Sequence, residues 1–278
     1  MTVSLSQVRI AFIGAGNMAQ ALIGGLIARG ADPRLLCAID PAAERRSALA
    51  EGFGIATHAA CSAEALAVDV AVLAVKPQQM AEAAQAAAPH LSGALVLSVA
   101  AGVRIATLSN WLGGHKRVVR TMPNTPALVG LGATGLAASP TVGAADRALA
   151  EAILAAVGIT VWVEGEAQLD AVTALSGSGP AYVFRFIETM IAGGQSLGLS
   201  ADQARRLSLQ TVLGAATLAA QSAESPAVLR ERVTSKGGTT AAGLAVFAER
   251  RLEEVVAQAM AAACRRSEEL GRPSDAQP

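Results

Sequence analysis

The sequence predicts a doubly wound α/β domain over residues 1–164, followed by an all-α domain over residues 165–278. Three observations carry that expectation. From residue 8 to about residue 164, short β-branched runs alternate with alanine-rich stretches of helical length. Most of those runs are almost continuously apolar, as strands are when helices cover both faces of a parallel sheet. After Glu164 the runs stop, and apolar residues recur at helical spacing to the end of the chain.

The strand runs, in order, are VRIAFIG, LLCAID, VDVAVLAV, ALVLSVA, RVVRTM, ATGLAAS and ITVWV. Alternation of this kind leads to right-handed crossovers and a parallel sheet. The boundary falls near VEGEAQLD. Beyond it, helices are expected near 180–198, 201–221, 226–232, 240–249 and 252–270, with Gly or Pro between several of them. The helix starting near Pro180 carries Tyr182, Phe184, Phe186, Ile187, Met190 and Ile191, with Arg185 and Glu188 as the charges in that span. A helix apolar around most of its circumference is buried on most sides. We therefore expect a second copy of the chain to cover it, making a homo-oligomer; the alternative is a central core helix of a monomer.

Composition narrows the function classes. Lys plus Arg and Asp plus Glu are equal at 22 each, and no basic block appears. Nucleic acid and anionic membranes are thus not expected partners. No apolar stretch reads as a bilayer span, and the N-terminal lead lacks the pattern of a secretory signal. A cytoplasmic protein is expected. The three cysteines, Cys37, Cys61 and Cys264, are odd in number and scattered, which argues against both a disulfide framework and a metal site.

The first strand runs into Gly14-Ala15-Gly16-Asn17-Met18-Ala19 and then into a helical stretch. This is the G-x-G-x-x-G/A fingerprint in its required context of strand, turn and helix. Gly14 makes the turn, Gly16 lets backbone approach a pyrophosphate, and the helix N-terminus offers N–H groups to it. The second strand ends at Asp40, at the spacing where an acid meets the adenosine ribose of NAD. Arg45 and Arg46 follow, suited to the 2′-phosphate of NADP or simply to a solvated helix face; both cofactors stay open. Ala74 to Pro77, Val99 to Gly102 and the stretch around Asn124 end later strands at the same edge, where ligands of such sheets bind.

The expected site lacks an evident base. His58, His90 and His115 stand without a nearby carboxylate, and the helix after SGSGP contains no lysine. Such a site suits a hydride acceptor that needs little proton help, such as a C=N bond. The segment TSKGGTTAAGL, at 234–244, is the other anomaly: paired glycines and hydroxyls inside a helical region, where each glycine costs about 1 kcal/mol relative to alanine.

Together, IGAGNMA, AVKPQ, MPNTPALVG, ALSGSGPAYVF and VTSKGGTTAAGL resemble the pyrroline-5-carboxylate reductase family over nearly the whole chain. The resemblance implies a Rossmann domain, an interleaved helical dimerisation domain, and reduction of 1-pyrroline-5-carboxylate to L-proline with NADPH or NADH. It implies cofactor contacts at Ile13, Gly14, Ala15, Gly16, Asn17 and Met18, and at Pro41. Ala74, Val75, Lys76 and Pro77 form a second cofactor segment, and Ala100, Ala101 and Gly102 a third. Ser235, Gly237, Gly238 and Thr239 are implied to hold substrate, Thr240 to bond its ring nitrogen, and Glu166 to lie near it. Lys236 stands where many members carry proline. A glycine-led helix start explains the 234–244 segment, since its N–H groups can bind a carboxylate. Rival readings are a reductase of another imine or β-hydroxyacid, and a dinucleotide sensor without turnover.

Overall fold

A computed structural model of the chain describes residues 4–91 and 93–272. By contact it divides into two units, one of residues up to Ser178 together with those from Ala263 onward, the other Gly179–Ala262. In the first unit β1 (Ile10–Ile13), α1 (Asn17–Ala28), β2 (Leu36–Ile39), α2 (Ala43–Phe53) and β3 (Ala56–His58) follow in turn. Next come β4 (Val70–Leu73), α3 (Met80–Ala87), β5 (Leu95–Ser98), α4 (Ile105–Trp111), β6 (Val118–Met122) and β7 (Gly132–Ala138). α5 (Ala144–Leu154), β8 (Gly158–Trp162) and α6 (Gln168–Val172) complete it. The strands form one eight-stranded sheet in the order β3-β2-β1-β4-β5-β6-β7-β8.

β1 and β4 are apolar throughout because both of their faces are covered. Ile10 and Phe12 of β1 enter one core cluster with Leu22, Ile23 and Leu26 of α1. Ala11 and Ile13, pointing the other way, enter a second cluster with Met80 and Ala84 of α3. Successive strand residues alternate faces, so each layer of helices claims alternate positions.

Two features depart from the expected sheet. β7 runs antiparallel to β6, while every other pairing is parallel. The link from Met122 to Gly132 is a short turn built around Thr125–Val129, and parallel neighbours need a longer crossover. The edge strand β3 was not among the expected strands; its Ala-Thr-His sequence is partly exposed and too short to show a period.

By contact the second unit begins at Gly179, after α6 and the turn that follows it. α6 packs against β7, where Gly135 leaves room for Val172 and Leu169. A single π-turn over Thr173–Gly177 follows, with Ser178 N–H donating to the Thr173 carbonyl at 2.8 Å. The second unit holds α7 (Gly179–Ser196), α8 (Ala201–Gln221), α9 (Pro226–Arg232), α10 (Thr239–Glu249) and the start of α11 (Leu252–Leu270). These match the expected helices closely because several have a local start signal. α8 opens with a full capping box of Ser200 and Gln203, and α9 with Ser225 followed by Pro226.

Candidate functional site

The sheet's topology brings the ends of β1, β2, β4 and β5 to one edge. Gly14 N–H donates to the Ile39 carbonyl and Ala74 N–H to the Ile13 carbonyl, both at 2.8 Å. Gly14 has φ +102°, and a Cβ there would lie 2.8 Å from the Ala74 backbone; this position requires glycine for conformation and for space. Gly16 is different. Its backbone is extended, and a Cβ on it would meet nothing within 4 Å. α1 then begins with no side-chain cap, so its first-turn N–H groups are available to an anion. Open space over a glycine at an uncapped helix start fits the pyrophosphate of a dinucleotide.

Asp40 lies at the end of β2 and is 4% exposed. Its carboxylate is already used within the protein: Oδ2 accepts the Ala15 N–H and Oδ1 the Ala42 N–H, each at 2.9 Å. Asp40 thus braces the glycine loop. Arg46 turns back, its Nη1 donating to the carbonyls of Asp40 and Pro41 at 2.8 Å each. Arg45 is held more loosely, 3.6 Å from Asp40 Oδ2, with a side chain 57% exposed.

Of the remaining cofactor candidates, Ala74 and Val75 are half-buried beside Gly14, while Asn17, Pro41, Lys76 and Pro77 are exposed and Met18 is half-buried. Ala100 is buried, and Ala101 and Gly102 are half-buried after β5. Ile13 and Ala15 are buried. Asn124 braces the π-turn and β7, where its Nδ2 donates to the Ser176 carbonyl at 3.0 Å and its Oδ1 accepts the Ala133 N–H at 2.9 Å. Burial pushes the thiol of Cys37, on β2, up to about 11, away from the thiolate form.

Glu166, expected beside the substrate, belongs to the first unit. Its Oε1 accepts the Ile105 N–H at 2.7 Å and pairs with Arg120 Nη1 at 3.0 Å. Arg120 is 2% exposed on β6. A charged residue inside the apolar run RVVRTM was a visible signal that sequence reasoning did not use. Arg104, Asp170 and Ser267, which form a neighbouring polar cluster, carry no such signal, because they meet only in the fold.

In the second unit, the 234–244 segment forms a tight turn into α10. Gly237 has φ +70°, in the left-handed region. Gly238 N–H donates to the Ser235 carbonyl at 3.1 Å, and a Cβ on Gly238 would collide with the Ser235 hydroxyl. α10 starts at Thr239 with no side-chain cap. Thr239 and Thr240 are exposed and Ser235 borders them, so hydroxyls surround an uncapped helix start. Small size and backbone and hydroxyl donors suit a compact anionic ligand.

Fold and glycine loop together define a nicotinamide-dinucleotide oxidoreductase with a helical second unit. Residues 166–270 match the family described as pyrroline-5-carboxylate reductase dimerisation, and residues 9–102 that described as NADP oxidoreductase, coenzyme F420-dependent. The chain is 52% identical over 268 residues to the pyrroline-5-carboxylate reductase of Pseudomonas aeruginosa, covering 96% of this chain and 98% of that one. The structure of a pyrroline-5-carboxylate reductase from Coxiella burnetii superposes with a TM-score of 0.92 at 42% identity, covering 96% and 99% of the two chains. That of Plasmodium falciparum pyrroline carboxylate reductase with NADP bound gives 0.84 at 30% identity, covering 97% and 100%. The chain belongs to the pyrroline-5-carboxylate reductase family.

Proposed function

We propose that this chain reduces 1-pyrroline-5-carboxylate to L-proline with NADPH. The observation that carries the reading is the pairing, in one chain, of a dinucleotide loop at Gly14–Asn17 with an uncapped, hydroxyl-flanked helix start at Ser235–Thr240. When bound, the reduced nicotinamide supplies a hydride to the imine carbon. A proton on the ring nitrogen completes the amine. The N–H groups at the start of α10, with the hydroxyls of Ser235 and Thr239, hold the substrate carboxylate. Gly237 and Gly238 let backbone approach it without a side chain intervening. The Thr240 hydroxyl orients the ring nitrogen, and no general acid is needed because an imine is already protonated in water to a useful extent.

In the first unit, the loop from Gly14 to Met18 holds the pyrophosphate, and Ala100 to Gly102 hold the nicotinamide half. Arg45, exposed and weakly tied, meets the 2′-phosphate and favours NADPH over NADH. The apolar residues exposed on α7, among them Phe184 at 61% and Phe186 at 45%, support a homodimer in which a second copy covers them. Among the described residues, no helix is long and apolar enough to cross a membrane. Equal numbers of cationic and anionic side chains give nucleic acid no footprint, and we place the enzyme in the cytoplasm. Steady-state oxidation of NADPH on addition of pyrroline-5-carboxylate tests the reading; no oxidation above background would overturn it.

A further inference from the structure

The Ala100–Gly102 segment leaves the sheet after β5 and enters α4 through Arg104 and Ile105. Its exit is held by two carboxylates at consecutive residues. Ile105 N–H donates to Glu166 Oε1 at 2.7 Å, and Arg104 Nη2 donates to Asp170 Oδ2, also at 2.7 Å. Asp170 is 2% exposed. Its second oxygen, Oδ1, accepts the hydroxyl of Ser267 at 2.7 Å. Ser267 is the buried residue of α11, a helix whose other side chains are exposed or half-buried.

The end of α11 also touches the loop itself. A Cβ on Gly102 would stand 3.5 Å from Leu270, and one on Gly271 would stand 2.9 Å from Arg104 Nε. The last helical turn therefore lies directly against the segment that follows β5. None of Arg104, Asp170 or Ser267 has a part in the chemistry described above. A buried carboxylate is tolerated only while its oxygens have donors, so this cluster is a constraint on where the loop sits.

Resting on the cofactor reading above, we propose that Asp170 is a positioning residue. With Arg104 and Ser267 it clamps the Ala100–Gly102 loop to the end of the last helix, and so sets affinity for the nicotinamide half of NADPH. The adenosine half is held elsewhere. Asp40 and Arg45 follow β2, three strands from β5 in the sheet, or roughly 14 Å at about 4.8 Å per strand. Loosening the clamp therefore weakens one half of the cofactor's grip and leaves the other.

The test uses the full chain with Ser267→Ala, and separately Asp170→Asn. Dissociation constants are measured for NADPH and for 2′,5′-ADP, which carries the adenosine half alone. Loss of a hydrogen bond to a buried charge is worth about a tenfold change. In Ser267→Ala, Kd for NADPH is expected to rise about three- to tenfold, with Kd for 2′,5′-ADP unchanged. Asp170→Asn is expected to shift NADPH further in the same direction. If Asp170→Asn fails to fold, Ser267→Ala decides alone. An unchanged NADPH affinity in Ser267→Ala overturns the proposal, and so does an equal loss for both ligands, which would mean general destabilisation. Wild-type chain that binds 2′,5′-ADP but not NADPH would instead overturn the placement of the nicotinamide half on which the proposal rests.

Discussion

Asp40 Oδ2 accepts the backbone N–H of Ala15 at 2.9 Å, so the acid that ends β2 braces the glycine loop that ends β1. The same carboxylate accepts the Ala42 N–H through Oδ1. An acidic residue at this spacing is expected to read the ribose, and here it is buried and occupied. Asp40→Ala should therefore weaken NADPH and NADH alike, by about tenfold or more in Kd for the loss of hydrogen bonds to a charged group. Titration of both cofactors against the variant checks this. A loss confined to NADH would return Asp40 to the ribose.

The two arginines after Asp40 should separate cleanly. Arg46 is tied to the carbonyls of Asp40 and Pro41, whereas Arg45 is exposed and only 3.6 Å from a carboxylate oxygen. Arg45→Ala is expected to lower the NADPH-to-NADH ratio of kcat/KM by about tenfold, the scale of one charge-assisted contact. Arg46→Ala should lower it much less. Equal ratios in wild type and Arg45→Ala would mean that this arginine does not read the phosphate.

Thr240 stands in the first turn of α10, with its side chain exposed at an uncapped helix start. Thr240→Ala should depress kcat, by up to about 10²-fold for a donor acting on the transition state. NADPH affinity should stay at its wild-type value. Kinetics of the variant indistinguishable from wild type would remove the hydroxyl from the reaction.

Much of the fold was legible in the sequence, for physical reasons that differ by region. α8 and α9 were readable because Ser200, Ser225 and Pro226 mark their starts locally. Strands such as β1 were readable because both faces are buried. The reversed direction of β7 was not, since the run ATGLAAS is equally apolar whichever way it points. The site was legible where backbone chemistry dictates it, at Gly14 and at Gly237–Gly238. It was not legible where a side chain's partner lies far along the chain, as with Asn124 and Ser176 or Asp170 and Ser267. Glu166 was singled out, yet its partners Ile105 and Arg120 came only from the fold.

The apolar surface of the second unit leads to an association prediction. No residue of α7 or α10 is fully buried in the single chain, and Phe184, Phe186, Leu213 and Val255 are all exposed. Light scattering at micromolar concentration should give at least a dimer, with an interface on the order of 2,000 Å² or more as in obligate pairs. Phe184→Glu together with Phe186→Glu should dissociate it and abolish turnover. A fully active monomer would contradict this assignment of the face.

The reaction turns on passage of a hydride from the cofactor to an imine carbon. The direct measurement is turnover of pyrroline-5-carboxylate with NADPH carrying deuterium at the transferable nicotinamide position. L-proline is expected with one deuterium on the ring carbon bonded to nitrogen and remote from the carboxylate, in step with the cofactor oxidised. Proline formed without deuterium, or cofactor oxidised without proline, would contradict it.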